Sequence, residues 1–171
     1  MRFKFPKIGA VDTARRRLLS AALAGGGLAA LGGSRKTRAE EGLDELRFPG
    51  DPADHKLLYQ LNKADADYHR HILFSAGAML RKYGDNVDLV VVCFAEGIHV
   101  LAEHPERPVA DDVKERISSL HQYGVEFHAC GNTLKSLGWS AIDIVPFAKI
   151  VEVGAADIME LQEQGYAYLA W

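Results

Sequence analysis

Val87-Asp88-Leu89-Val90-Val91-Val92-Cys93-Phe94 is the stretch on which the fold turns. Seven of its eight residues are apolar and four are valines, whose branched Cβ atoms suit a pleated strand. A strand with one wet face would alternate apolar and polar residues, and this run does not. It therefore predicts a strand over Val87–Phe94 buried on both faces, as in a parallel sheet covered by helices.

The segments on either side repeat that logic. Upstream, His55–Leu61 alternates loosely around Leu57, Tyr59 and Leu61 and predicts a first strand. Asp65 or Asp67 can cap a helix carrying Tyr68, Ile72, Ala76 and Leu80 at helical spacing, and Gly84 stops it. Downstream of a Pro-marked loop at His104–Pro108, Val113, Ile117 and Leu120 define a second helix face, and Gly124 precedes a strand over Val125–Cys130. Lys149–Val153 and Tyr166–Ala170 predict two more strands around a helix at Ala155–Gln164, which Gly165 ends. Five strands alternating with helices give an α/β domain over residues 55–171, with a parallel sheet and right-handed crossovers. Chemistry in such sheets gathers at the carboxyl ends of strands, where Cys93, Glu96 and Cys130 fall.

The chain has 171 residues, enough for one core, and 48% hydrophobic content. Its net charge of -3 conceals an asymmetry: residues 1–39 carry nine Lys/Arg and one acid, leaving eleven basic against 22 acidic residues in the body. That acidic body argues against nucleic acid as a partner. Within residues 1–39, Thr13-Ala14-Arg15-Arg16-Arg17-Leu18-Leu19 looks like a twin-arginine export motif. The Ala/Gly/Leu run behind it, ending at Leu31, is too short to span a bilayer, so no mature transmembrane segment is expected. With Thr37 and Ala39 as a small-x-small site, cleavage after Ala39 is expected, by way of the twin-arginine export machinery and into the periplasm. Residues 40–54, with Pro49-Gly50-Asp51-Pro52, read as a polar linker. No Gly-rich phosphate loop occurs in the body, and no cofactor is expected.

Strand period places Glu126, His128 and Cys130 on one face of the third strand, with Cys130 at its end. Gly131-Asn132-Thr133-Leu134 reads as the start of a short helix, so backbone N–H groups at Gly131–Thr133 and the positive end of its dipole would favour a Cys130 thiolate. His128 could supply a proton or positive charge. The bland alternative is that Cys130 fills a small buried space.

Gly124-Val125-Glu126-Phe127-His128-Ala129-Cys130-Gly131-Asn132-Thr133-Leu134, then Val151-Glu152-Val153-Gly154 and Leu161-Gln162-Glu163-Gln164-Gly165-Tyr166-Ala167-Tyr168, resemble the DsrE/DsrF-like family from about His55 to the C-terminus. The resemblance implies a three-layer α/β/α fold with a five-stranded parallel sheet in order 4-3-2-1-5, assembled as a trimer or hexamer. It also implies that Cys130 carries sulfur as a persulfide, exchanged with a sulfur donor or acceptor protein. Relatives often have a His-Gly turn after the second strand, where this chain has Cys93-Phe94-Ala95-Glu96-Gly97-Ile98-His99.

Two other functions compete with sulfur transfer or thiol relay. One is a non-catalytic oligomeric module binding a small ligand or protein, with Trp139, Tyr166, Tyr168 and Trp171 as core or contact aromatics. The other is metal binding through His128 and Cys130, joined by Glu96 and His99, although no recognised ligand spacing supports it and Glu96 and His99 are explained as surface residues. Cys93 is a candidate second thiol that could approach Cys130, or a buried strand hydrophobe. His69 and His71 diverge on their helix and are expected to face solvent.

Overall fold

The structure is a computed structural model that describes residues 50–171. The twin-arginine motif, the cleavage site after Ala39 and the linker up to Pro49 lie outside the described residues. At the near end of the described chain, Ala53 is buried, and Asp54 exchanges hydrogen bonds with Asn86, N–H to Oδ1 at 2.8 Å and Oδ2 from Nδ2 at 3.1 Å.

Strands β1 (His55–Leu61), β2 (Val87–Cys93), β3 (Glu126–Cys130), β4 (Lys149–Val151) and β5 (Ala167–Leu169) form one five-stranded sheet in the order β4-β3-β2-β1-β5, with every pairing parallel. β1 and β2 pair over seven residues, His55 with Val87 through Leu61 with Cys93. Helices α1 (Ala66–Tyr83), α2 (Asp111–Gln122), α3 (Gly131–Leu137) and α4 (Gly154–Glu163) fill the connections. Of the two candidate caps for α1 it is Asp65 that acts, its carboxylate accepting from the Tyr68 N–H at 2.7 Å.

Topology decides which face each helix covers. The steps β1 to β2, β2 to β3 and β3 to β4 all run the same way across the sheet, so right-handed crossovers put α1, α2 and α3 on one face. The step from β4 to β5 runs back across the whole sheet and puts α4 on the other. The core follows this division. Tyr59, Leu61, Leu89, Val91, Cys93 and Phe127 pack against Ile72, Leu73 and Ala76 of α1, Val113, Ile117 and Leu120 of α2, and Leu134 of α3. On the opposite face Leu58, Val90 and Val92 meet Leu161 of α4, with Ile158 and Tyr166 alongside. The three layers are therefore lopsided, with three helices against one.

Between β2 and α2 lies a 3₁₀ segment, Ala95–Leu101, that helical or strand periodicity does not reveal. It buries Ile98, Val100 and Leu101, and begins at Ala95 with φ of 48°, the left-handed region. Gly97 presses so closely on β1 that a Cβ there would stand 2.3 Å from the Leu61 carbonyl oxygen. Burial also corrects two histidine expectations. His69 is buried rather than solvent-facing, because α1 turns a wide face inward, and its Nε2 pairs with the Lys63 carbonyl at 2.7 Å. His99 is likewise buried, edge-on to Trp139 at 5.0 Å, because the 3₁₀ segment folds into the core. Among the described residues no helix is long and apolar enough to cross a membrane.

Candidate functional site

β3 and β4 are neighbours whose following helices leave to opposite faces, α3 to one and α4 to the other. That divergence opens the crevice in which α/β sheets hold their chemistry, and Cys130 is the last residue of β3 beside it. Its side chain lies on the α4 face, 5% exposed. The first turn of α3 follows it directly in sequence, while the first residue of α4 reaches it through space: the Gly154 N–H donates to Cys130 Sγ at 3.2 Å. Gly154 is glycine for room, since a Cβ would stand 3.1 Å from Cys130 Cβ and 3.5 Å from Sγ.

Thr133 adds an oriented hydroxyl. Its Oγ1 accepts from the Ala95 N–H at 3.1 Å, which leaves its own proton to point at the sulfur. Burial by itself would push the Cys130 thiol up. Donation from Gly154 N–H, then from the Thr133 hydroxyl and N–H, and last from the Asn132 N–H outweighs it, and the thiol ends below its ordinary value. The Asn132 N–H also serves the Glu152 carbonyl at 3.2 Å. The site can thus hold a thiolate with neutral donors and helix-end dipoles.

His128 is on the same face as Cys130 but engages other groups. Its Nδ1 meets Asp157 Oδ2 at 2.7 Å and its Nε2 meets Glu126 Oε2 at 3.2 Å, so both ring nitrogens are occupied by carboxylates and neither bonds the sulfur. The ring is 1% exposed and Asp157 12%, whereas Glu126 is open to solvent. The proton or positive charge that the sequence suggested His128 could lend to Cys130 therefore has no direct hydrogen bond to travel through. A groove of about 350 Å³ lies between β4 and α4, and its walls include Val151, the register partner of Cys130, and Asp157.

Cys93 stands apart from this arrangement. It pairs in register with Ala129, and alternation turns it to the α1–α2 face, opposite Cys130. Both thiols are free, and burial pushes the Cys93 thiol far up. That parity keeps the two cysteines apart, and Cys93 is the buried strand hydrophobe of the two readings the sequence left open. Nor do the four suggested metal ligands meet: Glu96 pairs with Arg107 at 2.9 Å, His99 is in the opposite core, and His128 is held by its carboxylates. Among the described residues no three His, Cys, Asp or Glu side chains gather to hold a metal ion. Trp139 and Tyr166 pack against the two cores, while Tyr168 and Trp171 are exposed. Gly154 and Asp157 escaped sequence reasoning as site residues. Gly154 alone left a signal, as a glycine closing the quoted Val151-Glu152-Val153-Gly154 segment after a strand.

A family model described as "DsrE/DsrF-like family" matches residues 49–171. No curated protein matches the chain. Among solved structures, it is similar to the protein of unknown function MTH1491 from Methanobacterium thermoautotrophicum, with 24% identity, a TM-score of 0.62, and 69% of this chain and 100% of that one covered. It is also similar to the ychN protein from E. coli, with 13% identity, a TM-score of 0.58, and 68% and 99% covered. A conserved protein of unknown function, BT1422 from Bacteroides thetaiotaomicron, shares 15% identity at a TM-score of 0.51 with 68% and 94% covered. At these identities the structural likenesses speak to the fold.

Proposed function

The chain belongs to the DsrE/DsrF-like family, and on that premise we propose that it is an exported sulfur-transfer or thiol-relay protein that carries sulfur as a persulfide on Cys130. The observation that carries this reading is the Gly154 N–H on Cys130 Sγ, joined by the Thr133 hydroxyl, because these donors lower the thiol's pKa without a charged partner. In the proposed step the Cys130 thiolate attacks the outer sulfur of a donor persulfide. A new S–S bond forms on Cys130, the donor's S–S bond breaks, and the donor leaves as a thiolate with its electron pair. Sulfur oxidation states are conserved, so no cofactor is required. An acceptor thiolate then attacks the outer sulfur of the persulfide, the S–S bond breaks with its electron pair going to Cys130 Sγ, and the same donors stabilise the departing Cys130 thiolate.

Export by the twin-arginine pathway, which carries folded cargo, would deliver the domain to the periplasm already assembled, as a homo-oligomer of three or six chains. Exposed Tyr168, Leu169 and Trp171 at the β5 edge favour such assembly over a solitary chain.

Incubation with a low-molecular-weight persulfide followed by intact-protein mass spectrometry tests the reaction. One added sulfur on wild type and none on Cys130→Ser is the expected result. No addition to wild type, or equal addition to both, rejects it.

A further inference from the structure

The part-buried pair His128–Asp157 has no role in the sulfur step proposed above, yet it ties together the same two elements as the sulfur does. β3 presents His128 and Cys130 on one face, two residues and roughly 6.5 Å apart. α4 presents Gly154 and Asp157 one turn apart, with roughly 4.5 Å of axial rise between them. The contacts match in order: Gly154 N–H to Cys130 Sγ at 3.2 Å, and Asp157 Oδ2 to His128 Nδ1 at 2.7 Å. The helix therefore runs back along the strand and is fastened to it at two successive points. The other core contacts of α4, around Ile158 and Leu161, lie further along the helix.

We propose that His128 and Asp157 are positioning residues, a clamp that holds the first turn of α4 against β3 so that the Gly154 N–H stays on Cys130. His128 is then not a general acid or base for the sulfur. This inference rests on Cys130 working as a thiolate, but not on what the thiolate carries. The charged groups facing His128 are Asp157 from α4, Glu126 from its own strand and Lys149, its register partner on β4. Glu126 is exposed and adjusts in water, so the clamp's fixed contact is the one with Asp157.

The sign of one substitution separates the clamp from simple charge effects. If Asp157 acted on Cys130 only through space, removing its negative charge would favour the thiolate and lower the pH midpoint of alkylation. Loosening the clamp does the opposite, because Gly154 N–H leaves the sulfur. Peptide-resolved iodoacetamide labelling of Cys130 across pH reads this directly, with circular dichroism to verify folding. We expect Asp157→Ala to raise the midpoint by about one pH unit, and Asp157→Asn, which keeps an acceptor oxygen for His128, to leave it near wild type. A lowered or unchanged midpoint in folded Asp157→Ala overturns the clamp. His128→Asn, whose amide N–H can replace Nδ1–H, carries the test if Asp157→Ala does not fold. A wild-type midpoint supports the clamp, and a raised midpoint in the folded variant overturns it. Persulfide loading is scored separately, so loss of loading with the labelling pattern intact rejects the sulfur reading and leaves the clamp standing.

Discussion

Cys130 has its thiol lowered by neutral donors, and this fixes how it should titrate. Since the folded pKa lies below the unfolded one, the thiolate contributes stability that is present above the ordinary thiol pKa and lost as pH falls through the folded value. Alkylation of Cys130 in the native protein should accordingly show a midpoint below that of a free thiol, and native Cys93 should remain unlabelled until the chain unfolds. Peptide mapping across pH measures both. Gly154 supplies a second test. An alanine Cβ there would crowd Cys130 at 3.1–3.5 Å and move the N–H off the sulfur, while alanine inside a helix end gains up to about 1 kcal/mol over glycine. Gly154→Ala should therefore leave the denaturation midpoint almost unchanged and raise the pH of Cys130 alkylation, a separation that labelling and urea titration together would resolve. Cys130 was legible as a candidate nucleophile because strand end and helix start are local. Its strongest donor was not, because that donor comes from 24 residues away.

At the scale of elements, the turn after β2 is strained in order to serve the site. Ala95 adopts φ of 48°, which aims its N–H at Thr133 and leaves the threonine proton for Cys130. An L-residue in this region costs roughly 1–2 kcal/mol that glycine does not incur, offset in part by glycine's larger unfolded-state entropy. Ala95→Gly should thus stabilise the domain by about 1 kcal/mol, seen as a higher thermal midpoint, because exposed Ala95 loses no packing. Neither the strain nor the 3₁₀ segment behind it was visible in the sequence, where Phe94-Ala95-Glu96-Gly97 shows no helical or strand period. β2 was legible for the reverse reason: burial on both faces leaves an unbroken apolar run. Strand ends from sequence overran the ladder by a residue or two, as at Phe94, Val125 and Val153, because apolar character continues past the last paired residue.

For the whole molecule, the order β4-β3-β2-β1-β5 leaves two edges, and the β5 edge is apolar and exposed at Tyr168, Leu169 and Trp171. Exposed edges invite pairing or packing with another copy. If the proposed trimer or hexamer forms through this edge, Leu169→Lys combined with Trp171→Ala should lower the mass toward the single chain in light scattering, with circular dichroism unchanged. A mass unchanged from wild type would reject this edge as the interface.

The sequence by itself determined the alternation of strands and helices, the buried central strand and the place of Cys130 at a strand end, since each depends on neighbours within a few residues. The order 4-3-2-1-5 came through family resemblance rather than periodicity. Tertiary structure alone decided which face each side chain meets. Crossover handedness and parallel register put Cys93 and Cys130 on opposite faces, and the long return from β4 to β5 brings Gly154 and Asp157 onto β3. His69 and His99 were misread for the same reason: a polar side chain is buried or exposed according to what packs over it, and that partner lies elsewhere in the chain.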